Sequence, residues 1–224
     1  MSIAAGADIA VLMRRTRLPE SATHLVLVRH GAVHNPKNVL YGRLPRFPLA
    51  AAGRSQALAA ALALAATPLA ALYSSPLLRA RQTAAAIRER QPGLSLALCH
   101  LLTDVASPHQ GRPGAEVDAL PDNVYQDSRP PFETPADVLG RLIRFLGQVR
   151  RRHSGQWVAA VSHGDPIAFL ILWAHGQPPS AAGKTGLAPW GIPGGYPGPG
   201  SITTLTLPVE GEVTPLAVHH QRPG

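Results

Sequence analysis

The run His24-Leu25-Val26-Leu27-Val28-Arg29-His30-Gly31 decides how this chain is read, and Trp157-Val158-Ala159-Ala160-Val161-Ser162-His163-Gly164 echoes it 133 positions later. Each is a short apolar run without polar alternation, the pattern of a strand buried on both faces. Each ends in a histidine followed by a glycine. A strand end is where an α/β sheet presents its ligands, so the two imidazoles are expected to meet at one small site. Gly31 and Gly164 are expected to adopt φ > 0, or to let a ligand approach the backbone closely.

Outward from these two runs the pattern alternates. Residues 52–66 are dominated by Ala and Leu and stop before Thr67-Pro68, as a helix does. Residues 70–74 read as a second strand, 76–91 as a helix closed by Pro92-Gly93, and 94–102 as a third strand holding Cys99 as a small buried side chain. From 103 to 133 the pattern fails, because Pro108, Pro113, Pro121, Pro130 and Pro131 interrupt every candidate element. Thr134 then reads as an N-cap with Pro135 at the first helical position, and Val138, Leu142, Phe145, Leu146 and Val149 keep helical spacing. Arg150, Arg151 and Arg152 suit the negative end of that helix dipole. A helix over 166–174, a Gly/Pro-rich loop over 176–200 and closing strands at 202–207 and 213–219 complete the chain. The expected fold is a three-layer α/β sandwich with a mostly parallel central sheet and helices on both faces. A single domain spans 1–224, with an insertion at 103–133 and the loop at 176–200.

Composition narrows the partners. Lys+Arg 21 against Asp+Glu 13 leaves a formal charge of +8, which favours anionic ligands. The cations are scattered, only Lys37 and Lys184 are lysines, and aromatic residues are 5%, too few for base-stacking platforms, so nucleic acid is not expected. Residues 58–66 and 166–174 are the longest apolar runs and fall short of the ~20 residues a bilayer requires, so no membrane partner is expected. Asp8 precedes Arg14, Arg15 and Arg17, the reverse of a secretory signal, and Cys99 has no second cysteine to pair with, which points to the cytoplasm. No feature assigns an oligomeric state.

The ordered set Arg29-His30-Gly31, Gly42-Arg43, Pro48-Leu49, Gly53-Arg54-Ser55-Gln56-Ala57, Ser74-Ser75-Pro76-Leu77-Leu78-Arg79-Ala80-Arg81-Gln82-Thr83-Ala84 and Val161-Ser162-His163-Gly164 resembles the histidine phosphatase superfamily, also called the phosphoglycerate mutase-like family. A weaker echo stands at Gly200-Ser201-Ile202-Thr203. The resemblance implies a phosphoglycerate mutase-like fold, with His30 as the nucleophile that takes up a phosphoryl group. It implies that Arg29, Arg79 and His163 grip its oxygens, and that a carboxylic acid protonates the leaving oxygen. Two carboxylates compete for that role: Asp104, in Leu102-Thr103-Asp104 after the third strand, and Glu116 in the insertion.

The residue types suit the chemistry, since phosphoryl transfer needs an in-line nucleophile and several positive donors on the equatorial oxygens. The chain departs from the family at Ala32, Val33 and Pro36, where an acidic or amide residue, a hydroxyl and an Asn are common. His34 or Asn35 is the expected substitute. Arg43 and Arg46 are candidates for a second anionic group. Without HExxH or Cys pairs, neither metal nor cofactor is expected.

These features imply a phosphomonoester hydrolase acting through phosphohistidine on a small phosphorylated metabolite, with the insertion capping the site. A mutase is the alternative within the family. Residues 102–110 lack the Glu-Arg-His-Tyr-Gly segment that the phosphoglycerate mutases carry after the third strand. A non-catalytic anion or nucleic-acid binder is the alternative outside it.

Overall fold

The computed structural model describes residues 21–223; the readings at Asp8, Arg14, Arg15 and Arg17 lie outside them. Six strands, β1 (Thr23–Arg29), β2 (Leu69–Ser74), β3 (Leu96–Leu98), β4 (Trp157–Ser162), β5 (Ile202–Leu207) and β6 (Ala217–Gln221), form one sheet in the order β3-β2-β4-β1-β5-β6. β3, β2, β4 and β1 run parallel, β5 pairs antiparallel with β1, and β6 antiparallel with β5. The helices are α1 (Ala51–Leu64), α2 (Leu78–Arg90), the short α3 (Gly114–Asp118), α4 (Pro135–Arg152) and α5 (Gly164–Ala174).

Strand alternation sorts the core into two layers. Leu25 and Leu27 of β1 pack with Val138, Leu142 and Phe145 of α4 and Phe169 of α5, while Val26 and Val28 pack with Ala60, Ala61 and Leu64 of α1 and Ala84 and Ile87 of α2. Both faces of β1 and β4 are therefore covered, which is why their sequences are apolar without alternation. α4 begins as expected with a capping box: Asp137 N–H donates to Thr134 Oγ1 at 3.3 Å, and Thr134 N–H to Asp137 Oδ2 at 3.0 Å.

Four expectations are corrected. The third strand does not run over 94–102; it stops at Leu98, and His100–Leu102 coils into a 3-10 turn. Leu102 is fully buried there, its carbonyl accepts from Ser162 Oγ at 2.9 Å, and Thr103 Oγ1 donates to the His100 carbonyl, so burial and side-chain bonds outcompete the Leu alternation. Cys99 beside this turn is only half-buried. The last strand begins at Ala217 rather than 213, because Pro215 has no N–H to give a ladder. The stretches 103–133 and 176–200 are not without structure: the first carries α3 and a 3-10 turn at Asn123–Tyr125, the second three 3-10 turns that bury Lys184, Leu187 and Ile192.

Two glycines make opposite predictions. A Cβ on Gly140, inside α4, meets nothing within 4 Å, so Gly140→Ala should stabilise by roughly 0.5–1 kcal/mol through helix propensity. A Cβ on Gly31 would lie 2.1 Å from the Gly53 carbonyl oxygen, so Gly31→Ala should destabilise by about 1–3 kcal/mol, as overpacking does. Thermal unfolding should show Tm moving up for the first and down for the second.

Candidate active site

His30 follows β1 and His163 follows β4, adjacent parallel strands whose last paired residues are Arg29 and Ser162. Adjacency in the sheet, not in the sequence, puts the two rings 5.0 Å apart at an interplanar angle of 62°. Arg79, in the first turn of α2, reaches both. Its Nε donates to His30 Nε2 at 3.1 Å, and its Nη2 lies 3.2 Å from His163 Nδ1, 2.7 Å from the Gly42 carbonyl and 2.7 Å from Asp104 Oδ2. Tyr41 covers the guanidinium, 4.6 Å from ring centre to Cζ. Arg79 is 1% exposed, His30 2% and His163 0%.

The partners assign the tautomers. His30 Nδ1 lies 2.8 Å from the Gly31 carbonyl, which can only accept, so Nδ1 carries the proton and the lone pair sits on Nε2 beside Arg79. Arg79 can only donate, so His163 Nδ1 accepts from it and His163 Nε2–H donates to Ser75 Oγ at 2.8 Å. Burial, then His163, Arg79 and Arg29, hold His30 well below the usual imidazole value. Burial, then Arg79, Arg141, Arg29 and Arg43, do the same to His163. Both rings are neutral at neutral pH.

Asp104, delivered by the 3-10 turn after β3, has Oδ2 on Arg79, Oδ1 accepting from its neighbour Val105 N–H at 3.0 Å, and Oδ2 3.5 Å from His163 Nδ1. Its backbone carbonyl accepts from Arg43 Nε at 2.7 Å and from Arg141 Nη2 at 3.2 Å. Both arginines are tied to Glu133, at 2.7 and 2.9 Å. Arg29 donates to the Pro197 carbonyl and lies over the Tyr196 ring at 5.0 Å.

A cavity of about 410 Å³ opens over this group, and Arg29, His30, Asn35, Asp104 and Gly164 are on its wall. Five expected site residues are not: Arg79 and His163 are buried directly behind it, bonded to the His30 and Asp104 side chains and to Ser75, and Glu116, Arg43 and Gly31 lie elsewhere. Glu116 is exposed and bonds Arg112 at 3.3 Å along α3, so it faces away from the cavity. Arg43 is engaged by the Asp104 carbonyl and Glu133, so it holds the Asp104 backbone in place and is absent from the cavity wall. Gly31 lies behind the wall, and neither it nor Gly164 has a positive φ: the first makes room for the Gly53 backbone, the second for the Tyr196 hydroxyl, 2.1 Å from where a Cβ would be. Asn35 reaches the cavity, but its amide is bracketed by the Val39 backbone at 2.8 and 3.2 Å. His34 and Arg46 are exposed and off the wall.

Sequence reasoning missed a second polar cluster. Asp165 accepts from Tyr125 OH at 2.7 Å, Lys184 Nζ at 2.8 Å and Tyr196 OH at 2.5 Å, joining the insertion and the 176–200 loop at the start of α5. Burial and then Asp165 push both tyrosines above their ordinary value, so both remain donors. The signals were Asp165 directly after His163-Gly164 and the rarity of lysine in this chain.

The sequence profile of the histidine phosphatase superfamily (branch 1) matches residues 25–192, a span holding His30, Arg79, Asp104 and His163. The chain belongs to that superfamily. An uncharacterized Mycobacterium tuberculosis protein, Rv0525, is 39% identical over 168 residues, 71% of this chain and 82% of its own. Among solved structures, the mycobacterial glucosyl-3-phosphoglycerate phosphatase Rv2419c is 26% identical with a TM-score of 0.70, covering 90% of this chain and 98% of that one. YhfR of Bacillus stearothermophilus shares the fold with a TM-score of 0.70 at 24% identity, covering 88% and 96%.

The buried histidines of this superfamily member make its stability pH-dependent. Folding holds both below the value of about 6.5 they have in the unfolded chain. Below pH ~6.5 the unfolded state therefore binds protons that the folded state does not, and stability falls as pH falls. Each histidine contributes a slope of up to about 1.4 kcal/mol per pH unit. Denaturant unfolding between pH 7 and pH 5 should give His163→Gln a slope shallower by up to that amount; equal slopes would contradict a neutral His163.

Proposed function

We propose that the chain hydrolyses a small phosphorylated metabolite through a phosphohistidine on His30, with Asp104 as the acid. The observation that carries the reading is the neutral His30 ring, buried, with its proton fixed on Nδ1 and its Nε2 lone pair beside the Arg79 guanidinium. Nε2 attacks phosphorus, the bond from phosphorus to the ester oxygen breaks, and the Asp104 carboxyl gives that oxygen its proton. Water then attacks the phosphohistidine, Asp104 takes the water's proton, and the N–P bond breaks to release phosphate.

Arg29 and Arg79 supply the cationic donors. To reach the phosphoryl oxygens Arg79 gives up its bonds to His30 and Asp104, and the incoming negative charge favours the protonated form of a neighbouring carboxyl and of His163, whose Nδ1–H then adds a third donor. Among the described residues no three His, Cys, Asp or Glu side chains cluster to hold a metal, and the scheme uses none. No helix among them is long and apolar enough to cross a membrane. We place the reaction in the cytoplasm, where metabolite esters reside and a lone cysteine stays reduced.

Two experiments test this. Acid-free quenching with radiolabelled substrate should trap an alkali-stable, acid-labile label on the wild type and none on His30→Ala; undiminished labelling would remove His30 from the role. Asp104→Asn should lose roughly 10²-fold more rate on an alkyl phosphate, whose alcohol needs a proton, than on p-nitrophenyl phosphate, whose phenolate leaves without one. Equal losses on the two esters would take the acid's role from Asp104.

A further inference from the structure

The cavity has two unlike ends, and the difference describes the alcohol that leaves. At the His30 end the wall carries Arg29 and His30, with the Arg79 guanidinium buried directly behind His30. The outer wall is built from Asn38, Val39, Leu40, Val117, Asp118 and Val124. Despite the chain's +8, no cation on that outer wall is available to an anion. Besides Arg29, the only arginine or lysine on the whole cavity wall is Lys184, and it is buried, with Nζ on Asp165 at 2.8 Å, on Asn123 Oδ1 at 3.1 Å and 5.0 Å from the Tyr125 ring centre. Turning Lys184 to a ligand would leave the buried Asp165 carboxylate uncompensated, which is costly. Arg43 is held by Glu133 and Arg112 by Glu116, while Lys37 and Arg46 are exposed and off the wall. Asp118, at the end of α3, is an exposed carboxylate on the rim with no ion-pair partner among the described residues.

Resting on the phosphatase reading, we infer that the substrate is a monoester of a hydroxyl-bearing alcohol that carries no carboxylate and no second phosphate. An anionic group at the outer end meets the Asp118 charge and finds no donor cation, whereas hydroxyls meet the Asn38 amide and the Asp118 carboxylate. The valine and leucine side chains suit the C–H faces of a polyol or sugar. Such a wall also disfavours a mutase, which has to retain a bisphosphate.

Matched esters test the inference. Glycerol 3-phosphate and 3-phosphoglycerate differ in one carbon, a hydroxymethyl against a carboxylate. The wild type should favour glycerol 3-phosphate by about tenfold or more in kcat/KM at low salt, the scale of one like-charge contact near a protein surface. Asp118→Asn should narrow the ratio several-fold and Asp118→Lys should erase or reverse it. Asp118 is exposed at the end of a five-residue helix, so these variants are expected to fold. Equal or higher kcat/KM for 3-phosphoglycerate in the wild type, or a ratio unmoved by Asp118→Lys, would overturn the inference while leaving the phosphatase intact. Absence of turnover on both esters and on p-nitrophenyl phosphate would overturn the phosphatase reading and this inference with it.

Discussion

The guanidinium of Arg79, taken almost wholly out of water, is the constraint on which the rest of the site depends. A buried cation is tolerated only when its charge is paired and its donors are satisfied. Asp104 supplies the charge, and the Gly42 carbonyl, His163 Nδ1 and His30 Nε2 supply acceptors. Each requirement fixes a piece of backbone. The β3 chain must coil early to bring Asp104 in, the 42–43 turn must present its carbonyl, and both histidines must stay neutral to accept. The neutral state of His30 is thus tied to how one arginine is buried, and the proposed reaction asks the same arginine to transfer donors from these partners to an incoming phosphoryl group.

A second buried charge does for the loops what Arg79 does for the sheet ends. Among the described residues, Asp165 is satisfied by Tyr125 from the insertion and by Lys184 and Tyr196 from the Gly/Pro-rich segment. Those bonds hold two long connections against α5. Tyr196 in turn lies under Arg29, so the loop that lines the cavity also orients a cation at its His30 end. Gly164 is the space this arrangement needs, since any side chain there would displace the Tyr196 hydroxyl.

What was legible in the sequence follows from how local the determining physics is. β1 and β4 were readable because a strand buried on both faces must be apolar throughout, and α4 because its cap and its apolar stripe lie within the helix itself. The end of β3 was not, since the local Leu alternation continues past Leu98 and only the burial of Leu102 against β4 breaks it. The resemblance carried His30, His163, Arg79 and Asp104 to one site. The readings of Arg43 as meeting a second anion and of Glu116 as a rival acid came from the residues alone; Arg43 is instead held by Glu133, 90 positions away, and Glu116 is drawn outward by Arg112, which precedes its short helix. The two glycines were read as accommodating a ligand when they accommodate the protein's own backbone and a tyrosine hydroxyl. Asp165, Lys184 and Tyr196 carried only the faint signals of an Asp directly after His163-Gly164 and of a rare lysine, because the bonds that join them span 19 to 31 positions.

That division separates chemistry from selection. In the proposed reaction the groups placed by sheet order and by the Arg79 pairing are those assigned to the phosphoryl group, which every monoester shares. The groups that meet the alcohol, Asn38, Asp118 and Val124, come from connections whose conformation depends on contacts far apart in the sequence. Within the insertion, Asp104 and Glu133 are tied by their side chains to the Arg79 pairing, through Arg79 itself and through Arg43 and Arg141. Asn38, Asp118 and Val124 share no hydrogen bond with His30, Arg79 or Asp104 among the described residues, so these wall positions can change without disturbing the neutral tautomer of His30. On the proposed reading, substrate choice falls to the wall residues at 38–40, 117–118 and 124, and the reaction to the strand ends and Asp104 beneath them.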